Sequence, residues 1–319
     1  KKLYELGKQL NWNVTDDLDW SQNFPKDEFM INSEIFKAPE VELEGYNALS
    51  QEKKIEMDRH RVAWNISQFL HGEQGALLVA SQLVSCAPTF NAKMYAASQT
   101  FDEARHVEGF NRYLKEKIGF QYPATKGLKS LMDKILTDER WDLKFIGMQI
   151  IIEGLALAAF NNMKFILNDG LLKQLLHYVI RDEARHVTFG VNYLEDYLKT
   201  LSKSEIEERA EFAFEACLVM RGRLISGEVV AKFLDYTPEE ADRIAFESDQ
   251  GQNFRTLLFT KIVPNLKRIG LLTDNVKEKY EQIGVLSYAE LEDNFNIDWA
   301  EMSKPYETQE EIEKAIRLV

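Results

Sequence analysis

Apolar residues recur three and four positions apart along most of this chain, and nowhere do they alternate over a strand-length run. The pattern predicts long helices over about 51–86, 90–118, 140–168 and 171–200, with a shorter one over about 126–137. Pro88 closes the first, Gly119 with Pro123 beyond it closes the second, and Gly170 in "NDG" is expected to stop the helix that starts near 140. After Ser204 another helix is expected to run to about 234. The string "TPEE" at 237–240 then offers a capping Thr, a Pro at the first helical position and Glu240 for a capping box. That helix should reach about 250 and resume before Pro264. Residues 1–50 are irregular, broken by Pro25 and Pro39, and read as an arm packed on a core. The expectation is an all-α protein: arm 1–50, four-helix bundle 51–201, additional helices and a charged tail 202–319.

Composition adds limits. With 45% apolar and 29% charged residues the chain is globular, and 7 Pro and 16 Gly in 319 residues suit long helices. A net charge of −13 argues against nucleic acid as a partner, because phosphate binding needs a basic surface. Cys86 and Cys217 sit in apolar runs outside any C-x-x-C pair, as buried thiols of a reducing cytoplasm do. The most apolar run, 148–160, is interrupted by Gln149 and Glu153 and is too short to span a bilayer, so no transmembrane segment is expected.

The hexamer "DEARHV" occurs twice, at Asp102–Val107 and Asp182–Val187. On a helix, residues three apart share a face, so Glu103 with His106, and Glu183 with His186, can each reach one point. One Glu-x-x-His is a weak signal; two identical copies are not. Two further helices each embed one carboxylate in an apolar stretch, Glu73 in "FLHGEQGALLVA" and Glu153 in "QIIIEGLALAAF". A buried carboxylate needs a cation, a metal or a proton. In order, four helices offer Glu, Glu-x-x-His, Glu and Glu-x-x-His, the inward ligand set of di-iron and di-manganese carboxylate bundles. Four carboxylates and two imidazoles suit iron or manganese better than a thiophilic metal. Asp102 and Asp182 could each serve the His of the opposite helix, with Arg105 and Arg185 balancing them. The alternative is a pair of solvated ion pairs within each hexamer. Gln99, Phe110, Gln149, Ala156, Leu157 and Gly190 lie one or two turns from these positions and are candidates for a pocket wall.

Over roughly 50–200 the chain resembles the ferritin-like superfamily, in its di-iron oxygenase and ribonucleotide-reductase-small-subunit-like branch. The resemblance implies a carboxylate-bridged di-iron site that reduces O2, with Mn/Fe as a variant. Glu73, Glu103 and His106 would serve one metal, Glu153, Glu183 and His186 the other, with Glu103 and Glu183 bridging. Departures narrow the choice. The radical-forming Tyr of the reductase subunit falls at Phe110, and Tyr113 lies one turn further on. The Thr of multicomponent hydroxylases and desaturases falls among Leu155, Ala156 and Leu157. The third His of arylamine N-oxygenases falls at Val179, and His177 lies about 120° around the helix from Glu183. His71 faces away from Glu73. The expected function is a cytoplasmic, homodimeric di-iron oxygenase, monooxygenase-like, that hydroxylates, N-oxygenates or desaturates a partly apolar organic molecule. No dinucleotide, Fe–S or flavin motif is present, so electrons come from a separate donor such as a ferredoxin or flavin reductase. Ferroxidase-type iron storage and a radical-generating subunit are the alternatives.

Overall fold

The computed structural model describes residues 1–306 apart from Arg223 and Asn296; the expected tail beyond 306 lies outside the described residues. The arm holds α1 (Lys2–Gln9). The core is α2 (Gln51–Cys86), α3 (Phe90–Tyr113), α4 (Lys126–Thr137), α5 (Trp141–Phe145), α6 (Glu153–Ile166) and α7 (Gly170–Leu198). Then come α8 (Lys203–Arg221), α9 (Gly227–Phe233), α10 (Pro238–Glu247), α11 (Asp249–Leu257), α12 (Val263–Arg268), α13 (Asp274–Gln282) and α14 (Trp299–Met302). The described residues form no strand; one antiparallel bridge, Ile31 to Leu167, ties the arm to the bundle. The fold is all-α.

The helix starts are written in the sequence. Ser50, Thr89, Thr125 and Asp169 each accept a hydrogen bond from a backbone N–H of the first turn. Ser202 and Thr237 form full capping boxes with Glu205 and Glu240. α2 packs along α3 and α6 along α7, and the four make the bundle. α4 lies in the crossover between α3 and the second pair, against α2 and α8.

Three expectations are corrected. Gly170 does not stop a helix: α6 ends at Ile166, and Gly170 opens α7 behind the cap Asp169. The helix expected from 204 to 234 is two, α8 and α9, because Gly222 and the poorly helical Ser226–Gly227 break it. The helix over 140–168 is continuous but carries a π-helical turn, Ile146–Ile152, immediately before Glu153. Such turns concentrate at functional sites. As one run, Trp141–Ile166 is long and apolar enough to cross a membrane, yet its apolar window is entirely buried in the bundle. Gly119 does stop its helix, at φ 93°.

The arm contributes to the core. Trp12, Val14, Leu18, Met30 and Ile31 are buried in the main cluster. The Asp58 carboxylate accepts from the N–H groups of Met30 at 2.8 Å and Ile31 at 3.2 Å, which pins the arm on α2.

Candidate metal centre

Each of the six predicted ligands projects into the bundle interior, and none is more than 5% exposed. The helical spacing delivers them: Glu73 from α2, Glu103 and His106 from α3, Glu153 from the start of α6, Glu183 and His186 from α7. Two sets of donor atoms lie within 4.8 Å of one another: Glu73, Glu103, His106 and Glu183, and Glu103, Glu153 and His186. Glu103 belongs to both sets. Its carboxylate lies 3.3 Å from His106 Nδ1 and 3.1 Å from His186 Nδ1. Glu183 is placed alike, 3.2 Å from His106 Nδ1 and 3.6 Å from His186 Nδ1. Both carboxylates therefore stand between the two imidazoles, where a bridge would be.

These contacts are close, but most lack the geometry of hydrogen bonds. Glu103 Oε2, Glu153 Oε2, both oxygens of Glu183 and His186 Nδ1 are buried without a hydrogen-bond partner. Buried acceptors left without donors are costly, unless a cation is what they face. Four glutamates carry four negative charges, which two divalent ions neutralise. The donor set fits a pair of oxygen- and nitrogen-preferring metals.

Protons are the competing occupants. Burial, then the charge of Glu183, pushes Glu73 up to about 8 and Glu153 well above the carboxylate range. Burial opposes charging of His106 and His186, yet both are raised well above the usual imidazole value. Asp182 and Glu103 dominate for His106, and Glu103 and Asp102 for His186. Glu103 moves the other way: burial is outweighed by His186 and His106, which hold it well below the ordinary range.

Around the ligands the hexamers interlock. His106 Nε2 lies 3.2 Å from Asp182 Oδ2, and His186 Nε2 lies 3.2 Å from Asp102 Oδ2, each aspartate serving the opposite helix. Arg105 donates to Asp102 at 2.6 Å and Asp182 at 3.1 Å; Arg185 donates to Asp182 at 2.6 Å and Asp102 at 3.1 Å. These pairs are buried, so the solvated alternative is set aside. The arrangement leaves both Nδ1 atoms facing inward, as metal-ligating histidines held by carboxylates do.

Of the pocket candidates, Gln99 is the most engaged, donating to Glu103 at 3.1 Å and Glu153 at 2.9 Å. Gln149 is buried one turn before Glu153 with neither amide atom bonded. Gly190 lets α7 approach the π-helical turn, since a Cβ there would sit 2.6 Å from Gln149 Cβ. Ala156 joins Phe69, Gly72, Ala76, Ile152 and Phe160 in an apolar wall facing Glu73, Glu153 and Glu183. They enclose a void of about 10 Å³, at the threshold for one water-sized molecule. Phe110 stands behind that wall, packed on Phe69 and Phe160. Leu157 instead faces an outer groove with Ala184. Tyr113 bonds Asp169 at 2.8 Å, at the start of α7, and is no substitute at the cluster. His177 lies against Lys164 and the Lys304 carbonyl, and His71 against Gln74 and the Tyr122 carbonyl, both away from the ligands.

Sequence reasoning missed Trp12. Its indole N–H donates to Asp182 Oδ2 at 2.7 Å, and its ring lies 6.4 Å from that of His106 at an interplanar angle of 22°. A Trp in an aperiodic arm gives no phase that points it at the core. The only available hint was a polar, Trp-bearing string, "NWNVTDDLDW", in a chain with 5 Trp.

No family model and no curated protein sequence matches the chain. Solved structures do. An R2-like ligand-binding oxidase variant with anaerobically reconstituted Mn/Fe cofactor superposes with TM-score 0.52 at 20% identity, covering 84% of this chain and 92% of that one. A second variant of that oxidase, prepared likewise, gives 0.53 at 19%, covering 84% and 91%. The same kind of oxidase with aerobically reconstituted metal cofactor after photoconversion gives 0.52 at 17%, covering 84% and 92%. The superpositions span most of both chains, and the protein has the all-α, ferritin-like fold of the R2-like oxidases.

Proposed function

We propose that this chain is an O2-dependent di-metal oxidoreductase, monooxygenase-like, that oxidises a partly apolar organic substrate with electrons from a separate donor. The observation that carries the reading is the convergence of Glu73, Glu103, His106, Glu153, Glu183 and His186 around unsatisfied buried oxygens, beside an apolar void. Two bound ions would supply O2 binding and reduction, the step no side chain here can perform. The similar structures hold Mn/Fe cofactors, so the proposal covers both a di-iron and a Mn/Fe pair.

The chain's own residues have separable tasks. The four glutamates neutralise the ions, and Asp102 and Asp182 fix the imidazoles with Nδ1 inward. Gln99 ties Glu103 to Glu153. Phe69, Ile152 and Phe160 wall the ligands with apolar surface and exclude water from them. Trp12, Asp182 and His106 form a hydrogen-bonded line from the arm to a ligand, which suits electron entry from a ferredoxin or flavin reductase. In monooxygenation, one oxygen atom enters the substrate and the other leaves as water, consuming two electrons and two protons. Walls of large apolar side chains favour this reading over an iron store. The proposal includes a cytoplasmic homodimer, and the free Cys86 and Cys217 agree with a reducing compartment.

Anaerobic loading with Fe(II), with and without Mn(II), followed by O2 and an external reductant, tests the reading. O2 uptake matched by oxidised product from a screened substrate is expected. Steady ferric mineral growth, or no O2 uptake by a metal-loaded protein, would overturn it.

A further inference from the structure

A cavity of about 110 Å³ lies between α2, α6 and the helices α9 to α11. Cavities of this order hold one aromatic ring. Its α2 wall is a stripe with one residue per turn: Arg61, Asn65 and Phe69, with Glu73 of the metal centre next in line. Its α6 wall is Ala159, Asn162, Met163 and Ile166, again the continuation of a face that begins with Glu153 and Ala156. Phe69 lines both this cavity and the small void at the ligands, and packs edge-on against Phe160 at 4.7 Å.

Arg255 also lines the cavity and is 3% exposed. Its guanidinium stacks on Phe246 at 3.8 Å and donates to the main-chain carbonyls of Ala245 and Phe246. Among the described residues no carboxylate pairs with it, and its Nε has no partner. Arg221 lies over the same ring at 5.4 Å and adds a second positive charge. Burial and that neighbour pull Arg255 below its ordinary value. The other cation of the wall, Arg61, is compensated by Glu40 at 2.7 Å and Asp58 at 3.5 Å. Lys144 and Arg181 are likewise buried on neutral acceptors, but neither lines this cavity. Carbonyls offset part of a buried charge; a full negative charge is what Arg255 lacks.

We infer that this cavity is the chamber for the organic substrate, that the substrate is an aryl or alkyl compound with an acid group paired to Arg255, and that Phe69 gates its passage to the metals. The inference rests on the oxygenase reading for the word substrate, but the chamber, the anion site and the gate can be tested without turnover.

The probe is phenylbutyrate, titrated calorimetrically into metal-loaded protein under anaerobic conditions, with phenylbutanol as the neutral control and phenylbutyl phosphate to separate carboxylate from phosphate ends. Phenylbutyrate should bind at least about tenfold more tightly than phenylbutanol, the gain expected of a charge-assisted pair. Arg255→Gln should remove that gain and leave phenylbutanol within about twofold, while Arg255→Lys keeps part of it. Arg255→Lys also controls for loss of the α10 carbonyl contacts. Tighter binding of the phosphate would assign the anion as a phosphate ester and keep the site. Phe69→Ala should speed the response of the metal centre's absorbance to phenylbutyrate while keeping the preference for phenylbutyrate over phenylbutanol. Equal binding by wild type and Arg255→Gln, or no binding of either anion, would overturn the inference. Arg255-dependent binding by metal-loaded protein that takes up no O2 would leave the chamber standing and sink the oxygenase reading. Product formation indifferent to Arg255 would do the reverse.

Discussion

The two copies of "DEARHV" are alike toward each other and unlike toward the rest of the molecule. Inward, their bonds repeat to the tenth of an ångström: Arg105 and Arg185 each reach both aspartates at 2.6 and 3.1 Å, and each His meets the opposite aspartate at 3.2 Å. Outward, Asp182 also accepts the Trp12 indole, whereas Asp102 has no such partner. Seven residues beyond each paired Glu the copies diverge again. The first has Phe110, packed on Phe69 and Phe160; the second has Gly190, where the π-helical turn presses in. The repeat fixes the geometry that the two halves of the cluster share, and the surroundings of each half differ.

Breaking that comparison gives the largest expected effect. Asp182→Asn removes one charge from a buried network of two arginines and a histidine, which should cost about 3–5 kcal/mol. Asp102→Asn should cost about 1 kcal/mol less, because no indole is stranded. Equal losses in chemical denaturation would show that Trp12 contributes nothing to the asymmetry.

Next in size is a pH effect in chelator-treated protein. Glu73 is near 8 in the fold against 4.5 in an unfolded chain, and Glu153, His106 and His186 are raised too. The metal-free fold thus holds more protons than the unfolded chain across that window. Its stability should therefore fall as pH rises from about 5 to 8. Metal-loaded protein should lose this slope, since the ions displace the protons. Melting curves with and without chelator at about pH 6 and pH 8 check the sign.

Two smaller effects sharpen the contrast between the copies. Gly190→Ala forces the 2.6 Å approach to Gln149 and should cost about 1–3 kcal/mol, while Phe110→Tyr should leave metal binding intact. Trp12→Phe should cost about 1 kcal/mol, keep the metals, and slow reduction of the oxidised centre by an external donor. An unchanged reduction rate in stopped-flow would remove Trp12 from the electron path.

The convergence of the six side chains was legible because helical period turns spacing into direction. Glu103 and His106 three apart, and Glu153 inside an apolar stretch, admit few arrangements other than convergence. The hexamer's charged letters were legible as well, because each had to be matched once its Glu and His were placed inside. What lay outside the regular period was not. Trp12 sits in an arm without phase, and the π-helical turn before Glu153 has the same letters as an α-helix. Gly170 was misread because a glycine after an Asn-Asp pair fits a helix stop as well as a start; the Asp169 cap decided it. The cavity beside Phe69 is closed by α9 to α11, whose packing depends on the break after Arg221 that the sequence pattern smoothed over.

The most direct test of the central claim is metal stoichiometry, by elemental analysis of protein purified after iron and manganese supplementation, for wild type and Glu153→Ala side by side. The account predicts two ions per chain in the wild type and at most one in the variant, with the fold retained by circular dichroism. A wild type without stoichiometric metal, or a Glu153→Ala protein that still holds two, would contradict it.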